Sequence, residues 1–236
     1  MLIGRSWRFA PRAVPTIAAA AFVALAVFLG RWQAHRAEEK QALQDLYESR
    51  MAEAPVRLTG PVDSADPLLF RRVHAAGRWI GTGQVFIDNQ ILRGQAGFEV
   101  LAPLRIAGSD GAVLVNRGWV ARSPDYPKPP AVAAPEGDAE VAGLATLPPT
   151  RFLELSTEVI SGNVFQNLSI ERYRHWSGLP VLPVVILADK PGPGLAGLEA
   201  RPDTNPARHR EYEVQWFLMA ATALALWVGL NFKRVR

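Results

Sequence analysis

Two stretches of this chain carry no charged residue, Ala13 to Gly30 and Val214 to Phe232. About 19 helical residues at 1.5 Å of rise each reach roughly 28 Å, close to the hydrocarbon thickness of a bilayer. The pattern predicts two transmembrane helices, residues 13–30 and 214–232, with short tails at 1–12 and 233–236. Between them, residues 31–213 have an ordinary globular composition, long enough for one sizeable core.

The first helix is predicted to continue beyond the bilayer. Ala34 to Met51 is rich in Ala, Glu, Gln, Leu and Arg and has no Gly or Pro, and Leu43, Leu46, Tyr47 and Arg50 share one face. This reads as an amphipathic stalk that ends before Pro55. From residue 56 to about 120 the period drops to two. Val73 and Ala75 alternate with polar neighbours, Gly81-Thr82-Gly83 turns into Gln84–Leu92, and Gly94 to Gly97 forms a second turn. Phe98, Val100, Ala102, Leu104 and Ile106 then lie on one strand face, and Gly108-Ser109-Asp110-Gly111 signals a hairpin into Val113–Val120. Short turns favour antiparallel pairing. Residues 123–135 carry five prolines and read as a loop. Glu140–Ala145, Asn163–Phe165 and Leu182–Ala188 read as strands, Ser169–Trp176 as a short helix, and Pro191 to Pro206 as a tether. The fold class expected is an α+β membrane protein: two transmembrane helices flanking one exported, mainly antiparallel β domain with a helical stalk, its closure into a barrel left open. Small residues four apart, Ala26 with Gly30 and Ala221 with Ala225 and Gly229, suggest that the two spans pair.

Charge orients this arrangement. Arg5, Arg8 and Arg12 precede the first span, and Lys233, Arg234 and Arg236 follow the second. The inner flanks mix Arg31, Arg36 and Lys40 with Glu38, Glu39 and Asp45. The positive-inside rule then places both termini in the cytoplasm and the main domain in the periplasm, in a bacterial inner membrane. Ala24-Leu25-Ala26 loosely resembles a cleavage site, but the apolar run continues past it, so a retained anchor is expected rather than a cleaved signal. Trp7 and Trp32 bracket the first span, and Trp216 and Trp227 lie near the ends of the second, as interfacial aromatics do. The net charge of +4 sits largely in the tails, where anionic lipid accounts for it, and no nucleic-acid partner is expected. Cysteine is absent, which excludes thiolate copper sites, Cys-x-x-Cys redox chemistry and covalent c-type haem attachment.

The chain has no Gly-x-Ser-x-Gly elbow, His-Glu-x-x-His, phosphate loop or dinucleotide fingerprint. A non-enzymatic membrane-anchored domain is the reading this favours; an exported-domain enzyme would need a site assembled from distant residues. His74 and His175 stand alone in the domain. His35 and His209 each lie five residues outside a predicted span, at similar depth if the helices extend that far. His209, Tyr212, Glu213 and Trp216 share one helix face. Composition alone allows two readings of this segment. One is an interfacial anchor of basic and aromatic residues, the simpler use of such a composition. The other is a haem site, with an imidazole ligand, Trp32 and Trp216 against a porphyrin, and Arg31, Arg36, Arg208 and Arg210 toward its carboxylates. Val113, Val115, Arg117 and Trp119 alternate onto one strand face, which predicts Arg117 stacked on Trp119 and paired with a carboxylate.

Several segments resemble the Surfeit locus protein 1 family. They are Leu29-Gly30-Arg31-Trp32-Gln33 with Arg36 and Lys40, then Arg72-Val73, Gly77, Gly97 and Pro103-Leu104. Val115-Asn116-Arg117-Gly118-Trp119-Val120, Val164-Phe165-Gln166-Asn167-Leu168, and His209, Tyr212 and Gln215-Trp216-Phe217 follow in order. The resemblance implies an assembly factor for haem-copper cytochrome c oxidase, a chaperone in respiratory chain biogenesis that binds haem a and assists its insertion into subunit I. Its partners would be subunit I, the haem a synthesis machinery and the lipid bilayer. It also implies His209 as axial ligand to the haem iron. Trp216, Trp32 and Tyr212 are the expected cofactor contacts beside it, and Arg36 is expected near the propionates. His35 falls on no family position, so a His35–His209 pair is a separate expectation. The alternative is a scaffold that binds an oxidase subunit and holds no haem.

Overall fold

The computed structural model describes residues 7–62, 64–148, 160–199 and 205–234. Arg5 and Arg236, named above as flanking charges, lie outside the described residues, as does the tether from 200 to 204. The chain divides into two compact units, Met1–Asp45 with Pro202–Arg236, and Leu46–Arg201.

The first unit contains β1 (Trp7–Phe9), most of α1 (Ala13–Ala52), α3 (Pro206–Asn231) and β11 (Phe232–Arg234). Helix α1 passes from apolar to charged sequence without a break, because nothing after Gly30 disfavours helix until Pro55. Helix α3 starts well before the apolar run: the Asn205 side chain accepts from the Arg208 amide at 3.2 Å, and Pro206 occupies the first turn. The buried and half-buried positions of α1 are Thr16, Ala19, Val23, Ala26, Gly30, Gln33, Ala37, Lys40 and Gln44, with Leu29, Ala34, Gln41 and Leu43 beside them. Those of α3 are Pro206, His209, Glu213, Trp216, Ala220, Ala223, Trp227 and Asn231. Steps of three and four alternate along α1 and along α3 as far as Trp227, the 3.5-residue period of left-handed coiled-coil packing. Gly30 is a close approach, since a Cβ there would lie 3.1 Å from Phe217 Cε1 and Cζ. Ala26 and Gly30 thus pair as expected, but Ala221, Ala225 and Gly229 are exposed on the opposite face, where a Cβ on Gly229 would meet nothing.

Across the seam Trp227 Nε1 donates to Thr16 Oγ1 at 3.1 Å. β1 and β11 form an antiparallel ribbon, Trp7 opposite Arg234 and Phe9 opposite Phe232, so both chain ends leave the helix pair together. Both helices are long and apolar enough to cross a membrane. Val14, Ile17, Phe22, Leu25, Phe28, Leu218, Leu224, Leu226 and Leu230 remain exposed. A core helix of a soluble protein buries such residues; here the apolar surface faces outward, as a lipid-facing helix requires.

The second unit contains the end of α1 and the strands β2 (Val56–Leu58), β3 (Arg72–Trp79), β4 (Val85–Leu92), β5 (Gln95–Ile106), β6 (Ala112–Ala121), β7 (Asp138–Thr146), β8 (Ile160–Ser161), β9 (Val164–Phe165) and β10 (Val181–Ala188). A short helix, α2 (Ile170–Ser177), precedes β10. The sheet is mixed rather than wholly antiparallel: β2–β3, β4–β9 and β6–β10 run parallel. These parallel neighbours are far apart in sequence or separated by other elements, so turn spacing carries no sign of them. The pairings β3–β7, β7–β10, β10–β6, β6–β5 and β5–β3 return to their starting strand, a closed circuit of five. One apolar cluster includes Val73, Ala75, Leu104, Ile106, Val113, Val115, Leu182, Val184 and Ile186. A second packs Leu101, Leu114 and Val185 against Phe165, Leu168 and Tyr173 of the β9–α2 segment. Ser169 caps α2, its side chain accepting from the Arg172 amide, and Gly178 ends it in the left-handed region. The junction with α1 is tied locally: Tyr47 meets Phe70 edge to face, and Arg71 donates to Glu53 and to the Ala54 carbonyl.

The proline-rich segment after residue 190 is more than a tether. Ala196 pairs with Trp119 through two backbone hydrogen bonds of 2.8 and 2.9 Å, and Leu195 is buried against Phe98 and Val100.

Candidate functional site

Helical spacing at the start of α3 puts His209, Glu213 and Trp216 on the seam with α1. His209 is half-buried, and its Nδ1 lies 2.8 Å from Oε1 of Gln33. A carboxamide oxygen only accepts, so facing it Nδ1 is the donor. In the neutral ring that arrangement leaves the lone pair on Nε2. Donation from the far ring nitrogen is how proteins orient and sharpen a histidine ligand. Gln33 was not singled out for this role by sequence reasoning. Its signal was positional: it continues the Ala26, Gly30 and Ala37 spacing as the polar member of a small-residue seam.

The other expected residues are distributed unevenly. Trp216 lies two helical turns from His209 on the same face and is half-buried. Trp32, 52% exposed, is adjacent to Gln33 in sequence but off the seam, and Tyr212 is exposed as well. Arg36 is no free cation, because its Nη1 donates to Glu39. His35 shares that Glu39, with Nε2 at 3.3 Å, and is exposed off the seam. His35 and His209 are not brought together; the partner of His209 is the glutamine. Arg31, in the middle of α1, and Arg208 and Arg210, in the first turns of α3, are exposed.

In the domain, Val115 to Val120 turns on a β-bulge. β5–β6 pairing shifts register between Val100 and Leu101, which oppose Gly118 and Asn116 and leave Arg117 as the extra residue. Gly118 takes φ +126°, open to glycine alone, and a Cβ there would also strike the Ala196 carbonyl at 2.6 Å. The Asn116 side chain braces the turn, accepting from the Gly118 amide at 3.0 Å and donating to Glu99 Oε2 at 2.7 Å. Trp119 pairs with Glu99, lies over Gly97, and donates from Nε1 to the Gln90 carbonyl at 2.9 Å.

The bulge overturns the expected face for Arg117. Two-residue alternation stops there, so Arg117 does not share a face with Trp119. It is 7% exposed, and Nη1 donates to two neutral acceptors, Gln84 Oε1 and the Ala133 carbonyl, rather than to a carboxylate. Burial lowers its pKa below the usual guanidinium range. Glu99 moves the other way: desolvation raises its carboxyl pKa, and the hydrogen bond from Asn116 opposes this in part. Elsewhere Arg72 is paired with Asp189, and the Tyr173 hydroxyl donates to the Gly83 carbonyl at 2.8 Å. The motif-rich segment of the domain is thus a braced scaffold, and the half-buried histidine of the first unit lies on the helix seam.

Comparison with known proteins covers both units. A SURF1-like protein of Monosiga brevicollis is 27% identical over 222 residues, spanning 87% of this chain and 83% of that one. Surfeit locus protein 1 of Takifugu rubripes is 24% identical over 229 residues, 88% of this chain and 93% of that one. A SURF1-like protein of Dictyostelium discoideum reaches 32% identity over 113 residues, 44% of this chain and 41% of that one. The profile of the SURF1 family, generally known for cytochrome oxidase assembly factors, matches residues 20–221, from the middle of α1 through His209 and Trp216, and the chain belongs to that family.

Proposed function

We propose that this chain is a non-enzymatic haem a chaperone that serves cytochrome c oxidase subunit I from a bacterial inner membrane. The observation that carries the reading is the seam histidine with its Nδ1 committed to Gln33 and its Nε2 left to coordinate. Haem a is cargo here. It brings an iron, two propionates and a long isoprenoid tail, which together suit the boundary between headgroups and hydrocarbon. His209 would supply the axial nitrogen at that boundary. Trp216, on the same helix face, would pack beside the ring. The exposed guanidiniums of Arg31, Arg208 and Arg210 would meet the propionates. Lipid-facing side chains of the two helices offer the tail an apolar surface, at about 0.8 kcal/mol per CH₂ removed from water. The ribbon of β1 and β11 supports placing both termini on one side, and Arg8, Arg12, Lys233 and Arg234 favour the cytoplasmic one.

The test is to purify the protein from cells that make haem a and record its absorption spectrum. The parent is expected to carry haem, and His209→Ala to carry less of it with an altered spectrum. Equal haem content and an unchanged spectrum in His209→Ala would sink the assignment. A second reading, the oxidase-binding scaffold, is favoured by one observation: the outward face of α3 presents Ala221, Ala225 and Gly229, small enough for a partner helix to approach closely. On that reading His209→Ala co-purifies with apo-subunit I as well as the parent does.

A further inference from the structure

The bulge in β6 leaves a buried guanidinium half used. Nη1 of Arg117 is taken by Gln84 and the Ala133 carbonyl. Its other edge, Nε and Nη2, finds no hydrogen-bond partner among the described residues, yet neither atom is sealed from solvent. That edge is the planar two-donor fork that matches a carboxylate or a phosphate. Arg117 borders a cavity of about 350 Å³, also lined by Trp79, Pro135, Lys190, Gly192 and Pro193. The two carboxylates on its wall are already matched, Asp189 by Arg72 and Glu140 by Arg57 at 3.6 Å. The unbalanced charge at the cavity is therefore positive, from Arg117 and the exposed Lys190. A cation removed from water without an anion is costly, and an arriving anion recovers that cost.

Gly192 shapes the entrance. Its amide donates to the Arg117 carbonyl at 2.7 Å, which fixes the segment against β6. A Cβ on Gly192 would lie 3.0 Å from Nη2 and 3.2 Å from Nε, crowding both atoms of the fork. The missing side chain is what keeps this edge open.

We propose that this cavity binds a small oxyanion-bearing molecule, held by the Nε–Nη2 edge of Arg117 with Lys190 at the rim. The ligand class is a carboxylate or phosphate compound small enough for the cavity. This proposal is independent of the haem reading and survives its failure.

The test is calorimetric titration of the full-length protein in detergent with inorganic phosphate and, separately, with succinate, at constant ionic strength. Saturable binding of at least one is expected. Preference for phosphate assigns a phosphate group, and preference for succinate assigns a carboxylate. Arg117→Gln is expected to abolish binding, and Arg117→Lys to retain a weakened form of it. If Arg117→Gln does not fold, Gly192→Ala decides, because it keeps the charge and blocks the fork. It should bind about tenfold more weakly or worse, with an unchanged circular dichroism spectrum. The proposal fails if neither anion binds saturably, or if Gly192→Ala binds as the parent does.

Discussion

Replacing Gln33 by leucine should weaken haem binding without loosening the helix pair. Leucine is close to glutamine in size, favours helix, and at a half-buried seam position adds apolar contact rather than removing it. What it removes is the acceptor 2.8 Å from His209 Nδ1. The ring then loses its fixed tautomer and orientation, and Nε2 becomes a less basic ligand. Loss of such a second-sphere partner typically lowers metal affinity about 10- to 100-fold, which corresponds to roughly 1.4–2.8 kcal/mol. His209→Ala removes the ligand itself and should cost more. Gln33→Glu replaces a neutral acceptor by a charged one, so it should bind at least as tightly and shift the iron reduction potential downward. The assay is titration of the purified protein with haem, followed at the Soret band, with a potentiometric titration of each loaded variant. Parent-like affinity and potential in Gln33→Leu would refute the idea that this hydrogen bond prepares the histidine.

Three further outcomes are expected. Gly30→Leu would drive side-chain carbons into the Phe217 ring, already 3.1 Å from a Cβ, and force the helices apart at a cost of about 1–3 kcal/mol. Thermal melting reads the loss, and introduced-cysteine cross-linking across the seam is free of background because the chain has no cysteine. Gly77→Ala would place a Cβ 1.8 Å from the Arg105 carbonyl oxygen and break the β3–β5 pairing that closes the strand circuit, so at least about 3 kcal/mol should be lost in denaturant unfolding. Glu99 has a folded-state pKa raised by burial, so its stabilising share is complete below the unfolded value near 4.5 and fades as pH rises through the folded value. Glu99→Gln should therefore gain melting temperature relative to the parent as pH goes from 4 to 7, and a difference that stays flat with pH would contradict the assignment.

Much of the fold was legible because particular residues make strong statements. Charge-free runs announce the helices, and Ser169 before Ile170 announces α2. Gly108 to Gly111 announces the β5–β6 hairpin. The misses share physical causes. In an apolar helix every face carries small residues, so Ala221, Ala225 and Gly229 look as good a seam as Ala220, Ala223 and Trp227. The polar contrast that marks a buried face in a soluble helix is missing there. The seam is given away by rare polar members, Gln33, His209 and Asn231, read at 3.5-residue spacing. In β6, alternation was projected straight through Arg117, although the glycine that follows it is the usual sign of a bulge. Parallel partners such as β2–β3 and β6–β10 leave no local trace, because no turn joins them.

The motif residues recognised in the domain are not those to which the proposed cargo chemistry falls. Asn116, Gly118, Trp119 and Gly97 are tied to one another by a bulge, a braced carboxylate and close backbone approaches, Gly77 packs closely on Arg105 of β5, and each acts on whether the domain folds. On the proposed reading His209 and Gln33 act on whether a metal finds a ready nitrogen, and they contribute one hydrogen bond to the fold. A defect in oxidase assembly caused by changing Gly77 or Gly118 is therefore the expected result of lost protein, and it says nothing about haem contact. A defect caused by changing Gln33 or His209 in protein of normal abundance would say a great deal. The two groups should separate when haem bound per folded molecule is compared with the amount of folded protein: domain variants lower the second and leave the first unchanged, and seam variants do the reverse.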